Sequence, residues 1–263
     1  MKTAINKPVP PLKWAGGKRW LIPQITPIWR QHSDRRLVEP FCGGLAIALG
    51  LTPKRAWLND ANPHLINFYQ CLKLGLYFED DLENTEECYD EARREFNSRA
   101  REGYRKKRDA ALFYYLNRTG YNGLCRFNQS GFFNVPYGKY KNPKYIQDFT
   151  PYQPLLEPWE FTCGDFSGMA IAPDDFLYAD PPYDTPFTQY SAGGFGWEDQ
   201  IRLAEWLAQH PGPVIASNQA TDRIVSLYRG HGFDVQIIEA PRRISCNGDR
   251  TPAMEILATR GMA

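Results

Sequence analysis

From Ala110 to Gln147 the chain has no aspartate or glutamate, although acids and bases nearly match across its 263 residues, at 30 Asp and Glu against 31 Lys and Arg. The acid-free stretch still carries Arg118, Arg126, Lys139, Lys141 and Lys144, interleaved with aromatic, Asn and Gly residues. A surface of that make-up suits close approach to a polyanion and reading of it. The opposite bias stands upstream. Glu79, Asp80, Asp81, Glu83, Glu86, Glu87, Asp90 and Glu91 come without an intervening base, the pattern of a solvated face. Metal-type spacing is also missing. The six cysteines (Cys42, Cys71, Cys88, Cys125, Cys163, Cys246) form no C-x-x-C pair, and the four histidines do not cluster. That reads against a zinc site and a disulfide framework, and no metal is expected. No apolar run approaches the ~18 residues that span a bilayer. The start, Met1 to Lys7, has no apolar core and does not read as a secretory signal. The expected setting is cytoplasmic, with no membrane contact and no obligate protein partner.

What is present is ordinary in bulk: 43% apolar and 23% charged residues, the balance of a soluble globular protein. The length suits one large α/β domain, or a core with an inserted lobe. Short apolar and β-branched runs predict seven strands, over 36–39, 55–59, 160–163, 175–179, 213–217, 233–239 and 254–258. Helices are expected over 43–49, over 63–74 with Asn62 as N-cap and Pro63 at the first position, over 197–209 and over 221–228. Alternation of this kind implies a mostly parallel, Rossmann-like sheet with helices on both faces. The last two strands, joined without a helix, read as an antiparallel hairpin. Residues 76–152 break the alternation, with a helical pattern over 87–116 and then an Asn-, Gly- and aromatic-rich loop region. They are expected to form an inserted, mainly helical lobe in a core made of 1–75 and 153–263.

Three segments carry chemistry. Asp180-Pro181-Pro182-Tyr183 follows a buried strand, and two prolines without amide donors stiffen the turn. An aromatic exocyclic amine is a poor nucleophile, because its lone pair is delocalised into the ring. Acceptors on its hydrogens, the Asp180 carboxylate and the Pro181 carbonyl, would draw it toward a tetrahedral and reactive geometry, with Tyr183 stacking on the base. Glu39-Pro40-Phe41-Cys42-Gly43-Gly44 leaves a strand and opens a helix, either as a tight turn or as a loop that lets a ligand approach the backbone. Asp60 ends the next strand, where an acid either caps a helix or accepts two ribose hydroxyls. Lys13-Trp14-Ala15-Gly16-Gly17-Lys18 is compact but lacks the phosphate-loop pattern. Residues 184–196 suggest a lid over the acceptor turn. Arg242, Arg243 and Arg250 read either as phosphate contacts or as solvated surface.

These segments, with Leu58-Asn59-Asp60-Ala61-Asn62, occur in an order that closely resembles the Dam-type (alpha group, D12 class) DNA adenine methyltransferases. The stretches from Tyr115 to Asn128 and from Phe133 to Tyr140 resemble the family's target-recognition hairpin. The resemblance runs from about Leu12 to Leu257. It implies a methyltransferase sheet, S-adenosyl-L-methionine as donor, and the adenine 6-amino group of double-stranded DNA as acceptor. It also implies action within GATC, base flipping with direct in-line transfer, and a monomer in a bacterial or phage-infected cytosol. Carried over residue by residue, Trp14, Ala15, Gly16, Gly17, Lys18, Glu39, Pro40, Phe41, Gly43, Asp60, Asp165, Phe166 and Asp180 should bind the donor. Asp180, Pro181, Pro182 and Tyr183 should act on the flipped base. Lys13, Arg118, Tyr121, Asn122, Leu124, Arg126, Pro136, Lys139, Tyr140, Arg242 and Arg243 should meet DNA, with Arg126 reading a guanine. Leu45-Ala46 departs from the smaller residues of several relatives, and 185–194 is shorter than theirs. The same chemistry on cytosine or RNA, and a non-catalytic DNA-binding regulator, stand as alternatives.

Overall fold

The computed structural model describes residues 9–78, 83–101, 106–143, 146–184, 194–241 and 253–262. Its seven strands are β1 (Leu37–Glu39), β2 (Ala56–Asp60), β3 (Trp159–Cys163), β4 (Phe176–Ala179), β5 (Val214–Gln219), β6 (Asp234–Ala240) and β7 (Ala253–Arg260). They form one sheet in the order β3-β2-β1-β4-β5-β7-β6. The first five are parallel, and β7 runs antiparallel between β5 and β6. The expected strands are all present, shifted at their ends by a few residues. Chain order reverses where β1 lies beside β4, and at such a point the carboxyl ends of parallel strands frame a crevice.

Strand alternation divides the apolar side chains between two cores. Leu37, Leu58, Phe176, Tyr178, Ile215 and Leu257 point to one side, together with α1 (Ile22–Gln31), α2 (Ala46–Leu51) and α3 (Pro63–Lys73). Val38, Leu177, Ala179, Val214, Ala216 and Ile256 point to the other, under α7 (Trp197–Gln209) and α8 (Asp222–Gly230). Successive residues of a strand face opposite ways, so helices cover both faces.

The remaining helices are α4 (Glu86–Arg101), α5 (Lys107–Thr119) and the short α6 (Gln153–Leu156). Helices α4 and α5 share the first core: Phe68 of α3 lies 5.6 Å from Tyr114 and 5.7 Å from Phe149, centroid to centroid. Two local expectations need correction, and one helix is additional. The helical pattern over 87–116 is two helices, because the buried carboxylate of Asp109 accepts from Lys106 N at 2.9 Å and pairs with Arg99 of α4. It thereby caps α5 and ties it to its neighbour. Helix α2 starts at Ala46, with Gly43 and Gly44 in the turn before it. Helix α1, which holds Pro23 and Pro27, was not among the expected elements. Pro23 sits in the first turn, and Thr26 Oγ1 donates 2.7 Å to Ile22 O.

Candidate active site at the carboxyl rim of the sheet

Strands β1 and β4 pair directly, Leu37 with Phe176 and Val38 with Leu177. The Glu39 turn and the Asp180 turn therefore leave the sheet side by side. Asp180 Oδ1 accepts from Ser217 Oγ at 2.9 Å and lies 3.1 Å from Lys18 Nζ. Ser217 gives its one proton to Asp180, so its 2.8 Å contact with Tyr178 Oη is donated by the tyrosine. Lys18 is 2% exposed and also donates to Gly16 O at 3.0 Å and Tyr183 Oη at 2.9 Å. Burial raises the Asp180 carboxyl above its ordinary value, while Lys18 and Ser217 oppose the rise. Behind the turn, Gln200 Nε2 donates 2.8 Å to Pro182 O, and Gln200 Oε1 accepts from Asn218 Nδ2 at 2.9 Å. Both amides are fully buried, so the proline turn is fixed from the inside.

The neighbouring turn is a backbone cradle. Asp60 at the end of β2 accepts from Gly43 N at 3.0 Å and Asn62 N at 2.9 Å, and burial raises its carboxyl. Asn59 Nδ2 donates to Pro40 O at 3.1 Å and Gly164 O at 2.9 Å, joining the ends of three strands. Gly43 has φ +42°, and a Cβ there would stand 2.8 Å from the Trp14 indole nitrogen. Only glycine lets Trp14 pack this closely. Leu45 is held left-handed at φ 57° while 1% exposed. Glu39 is 2% exposed, its Oε1 has no hydrogen-bond partner among the described residues, and burial raises its carboxyl well above the usual range. Phe41 packs 5.6 Å from Phe166 and 5.5 Å from Phe195. Beside them Asp165 takes two bonds from Arg202, at 2.7 and 2.9 Å. These bonds draw its carboxyl well below the usual range. Ala15, Gly16 and Gly17 form an exposed turn at the same end.

The segment leading into this site is bolted to the inserted helices. Lys13 N donates 2.9 Å to Asn117 Oδ1, and Asn117 Nδ2 returns a 2.8 Å bond to Lys13 O. Lys13 Nζ donates 3.0 Å to Arg118 O and sits 3.7 Å from the Tyr140 ring centroid. Burial and the Arg118 charge push its ammonium down to about 8. Gly123, at φ +61°, leaves room for the Lys13 side chain, where a Cβ would come within 2.3 Å. Arg126 is exposed, and its guanidinium is held by Asn134 Oδ1 at 2.8 Å and Asn134 O at 3.1 Å. Tyr121 is 50% exposed, with its N–H on Pro136 O at 2.9 Å, and Asn122 is left-handed at φ 52°. Leu124 is part-buried against the core. Arg118 Nη1 donates 3.4 Å to Pro11 O, and Lys139 Nζ lies 3.8 Å from Glu86. The Asn62 side chain, which caps α3, also donates 3.6 Å to Cys125 Sγ. The loop around Cys125 thus touches the end of β2 next to Asp60. Arg242 and Arg243, and most of the expected lid, lie outside the described residues.

Sequence reasoning missed Ser217, Gln200, Arg202, Phe195 and Glu255. The available signal was polarity out of place: Ser217-Asn218 end an apolar strand, and Glu255 interrupts one. Buried charge is rare unless it is paired or used. Among the described residues no group of three His, Cys, Asp or Glu is placed to hold a metal ion.

Five parallel strands closed by an antiparallel pair, with a glycine cradle and an acceptor turn sharing one rim, define a Rossmann-like α/β methyltransferase. The finer assignment comes from comparison. A model of the D12 class N6 adenine-specific DNA methyltransferases matches residues 14–244. The retron Ec67 DNA adenine methylase of Escherichia coli is 36% identical over 269 residues, covering 95% of this chain and 90% of that protein. The DNA adenine methylase of Vibrio cholerae serotype O1 is 36% identical over 271 residues, covering 94% of each. The DNA N-6-adenine-methyltransferase of Escherichia phage P1 is 37% identical over 271 residues, 95% of this chain but 34% of that protein. This chain spans about a third of that last relative. The chain belongs to the D12 class of N6 adenine-specific DNA methyltransferases.

Proposed function

We propose that the chain transfers a methyl group from S-adenosylmethionine to the 6-amino group of an adenine turned out of duplex DNA, within GATC. The observation that carries this reading is the shared rim: Asp180 projects beside the cradle formed by Gly43, Asp60 and Glu39. The cradle suits the donor. Asp60 presents a carboxylate for ribose hydroxyls, Phe41 and Phe166 offer rings for a purine, and Glu39 Oε1, without a partner among the described residues, is an acceptor for an ammonium. When bound, S-adenosylmethionine supplies an electrophilic methyl group on a sulfonium.

The residues of the acceptor turn do the rest. Asp180 and the Pro181 carbonyl accept the two amine hydrogens, freeing the nitrogen lone pair for attack along the methyl–sulfur axis. The carbon–nitrogen bond forms as the methyl–sulfur bond breaks, and the amine then gives up its proton through Asp180. Tyr183 stacks on the extruded base, and Tyr121, half-exposed on the recognition loop, fills the space it leaves in the duplex. Residues 76–152 serve as the target-recognition lobe, in a core of 1–75 and 153–263. Arg126, pre-aimed by Asn134, offers two donors to the major-groove edge of a guanine.

Labelled donor and plasmid DNA, followed by digestion and identification of the modified base and its neighbours, test the reading. N6-methyladenine in GATC is expected. Asp180→Ala should bind duplex and transfer no methyl; full activity in that variant would remove the mechanism. Arg126→Ala should lose about 1–3 kcal/mol of discrimination at one guanine. An unchanged ranking of single-base-substituted duplexes would dismiss that role.

A further inference from the structure

Glu255 stands on β7, two strands away from β4, yet its carboxylate reaches the Lys18 that pairs with Asp180. It is 5% exposed in an otherwise apolar run. Tyr183 Oη donates to its Oε1, and its Oε2 lies 3.6 Å from Lys18 Nζ. Lys18 in turn donates to the same hydroxyl, so one cation, two carboxylates and one phenol form a closed group behind the acceptor turn. A strand residue with no other task would be apolar here, because burying a second carboxylate against one lysine is costly.

We infer that Glu255 is a positioning residue that divides Lys18 between two carboxylates and anchors the Tyr183 hydroxyl, keeping Asp180 basic enough to take the amine proton. The inference rests on the reading of Asp180 as acceptor. Two carboxyls face Asp180, Glu39 from β1 and Glu255 from β7, and burial raises both; with Glu255 neutral, Lys18 would pair with Asp180 alone, and one of these like charges would be gone. Both changes favour ionised Asp180 and lower its proton affinity. Asp180 acts only when ionised, so the acid limb of the rate profile would move to lower pH while the plateau rate falls.

Single-turnover methylation of a duplex oligonucleotide by the full chain, across pH 5 to 9, reads both effects. Glu255→Gln should slow transfer about tenfold, with donor and DNA affinities within about threefold of the parent, and shift the acid limb downward. Glu255→Asp, which keeps the charge but reaches less far, should be slower with its acid limb in place. A folded Glu255→Gln enzyme with the parental rate and profile overturns the inference. So does a limb displaced in Glu255→Asp, which decides the matter if the Gln variant does not fold. Asp180→Ala in the same assay separates the two ideas: activity there removes the acceptor reading, whereas its loss beside an unaffected Glu255→Gln removes only the role of Glu255.

Discussion

Glu39 carries a burial cost that its backbone bond from Ala48 offsets only in part. One carboxyl oxygen has no partner among the described residues, and the whole side chain is out of water beside Asp180. Its folded proton affinity lies well above that of the unfolded chain, for which the ordinary carboxyl value holds. The stability contributed by the proton is therefore fully present below the unfolded value and is lost as pH rises through the folded one. Glu39→Gln keeps the shape and removes the ionisation. It should gain about 1–2 kcal/mol at pH 8 relative to the parent, and much less at pH 4. Denaturant titrations at the two pH values check this, and equal differences at both would refute it. The same variant should bind S-adenosylmethionine more weakly, since the proposed partner of the donor's ammonium is gone. Stability given up at a binding residue is a common trade. At this scale the sequence was informative where a residue belongs to a contiguous turn, as Asp180 and Asp60 do. It was silent on Ser217, Gln200 and Glu255, which meet Asp180, Pro182 and Lys18 only after the sheet is assembled.

Among the elements, the strands were legible because each is a short apolar run between polar turns, and such runs need a sheet to bury them. Helix α1 was not, since two prolines in ten residues contradict local propensity, and packing of Ile25 and Trp29 outweighs it. Helix α3 does more than its sequence suggests. Strand β3 is the edge of the sheet, and α3 closes that edge: Gln70 Nε2 donates 3.1 Å to Phe161 O, and Lys73 Nζ donates 2.7 Å to Trp159 O. An open edge is a template for pairing with another chain. Gln70→Leu with Lys73→Met leaves both carbonyls without these donors. The pair should lower stability by about 1–3 kcal/mol and cause concentration-dependent self-association, followed by light scattering. A monodisperse double variant with parental stability would show that β3 needs no such cover.

At the scale of the molecule, the inserted helices and the sheet cannot be treated as separate bodies. The apolar core on one face of the sheet runs without interruption from Leu37 and Leu58 through Phe68 to Phe113, Tyr114 and Phe149. Lys13 bonds to Asn117 near the end of α5, and Asn62 bonds to Cys125, so the residues before Trp14 and after Asp60 are both tied to the 107–125 segment. The acid-free composition of 110–147 reads as a polyanion-facing surface, but nothing in it points to a shared core, because long-range packing leaves no local period in the sequence. The ring of Phe68 is the test of that sharing. It lies 5.6 Å from Tyr114, 5.7 Å from Phe149 and 6.3 Å from Phe113. Phe68→Ala should cost about 3–5 kcal/mol through lost burial and the cavity left behind. If the core is one, calorimetry of the variant shows a single transition at lower temperature, and donor binding and duplex binding are lost together on heating. If residues 76–152 had a core of their own, the variant would melt in two steps, with duplex binding lost at one and the sheet at the other. Two resolved transitions would refute the common core.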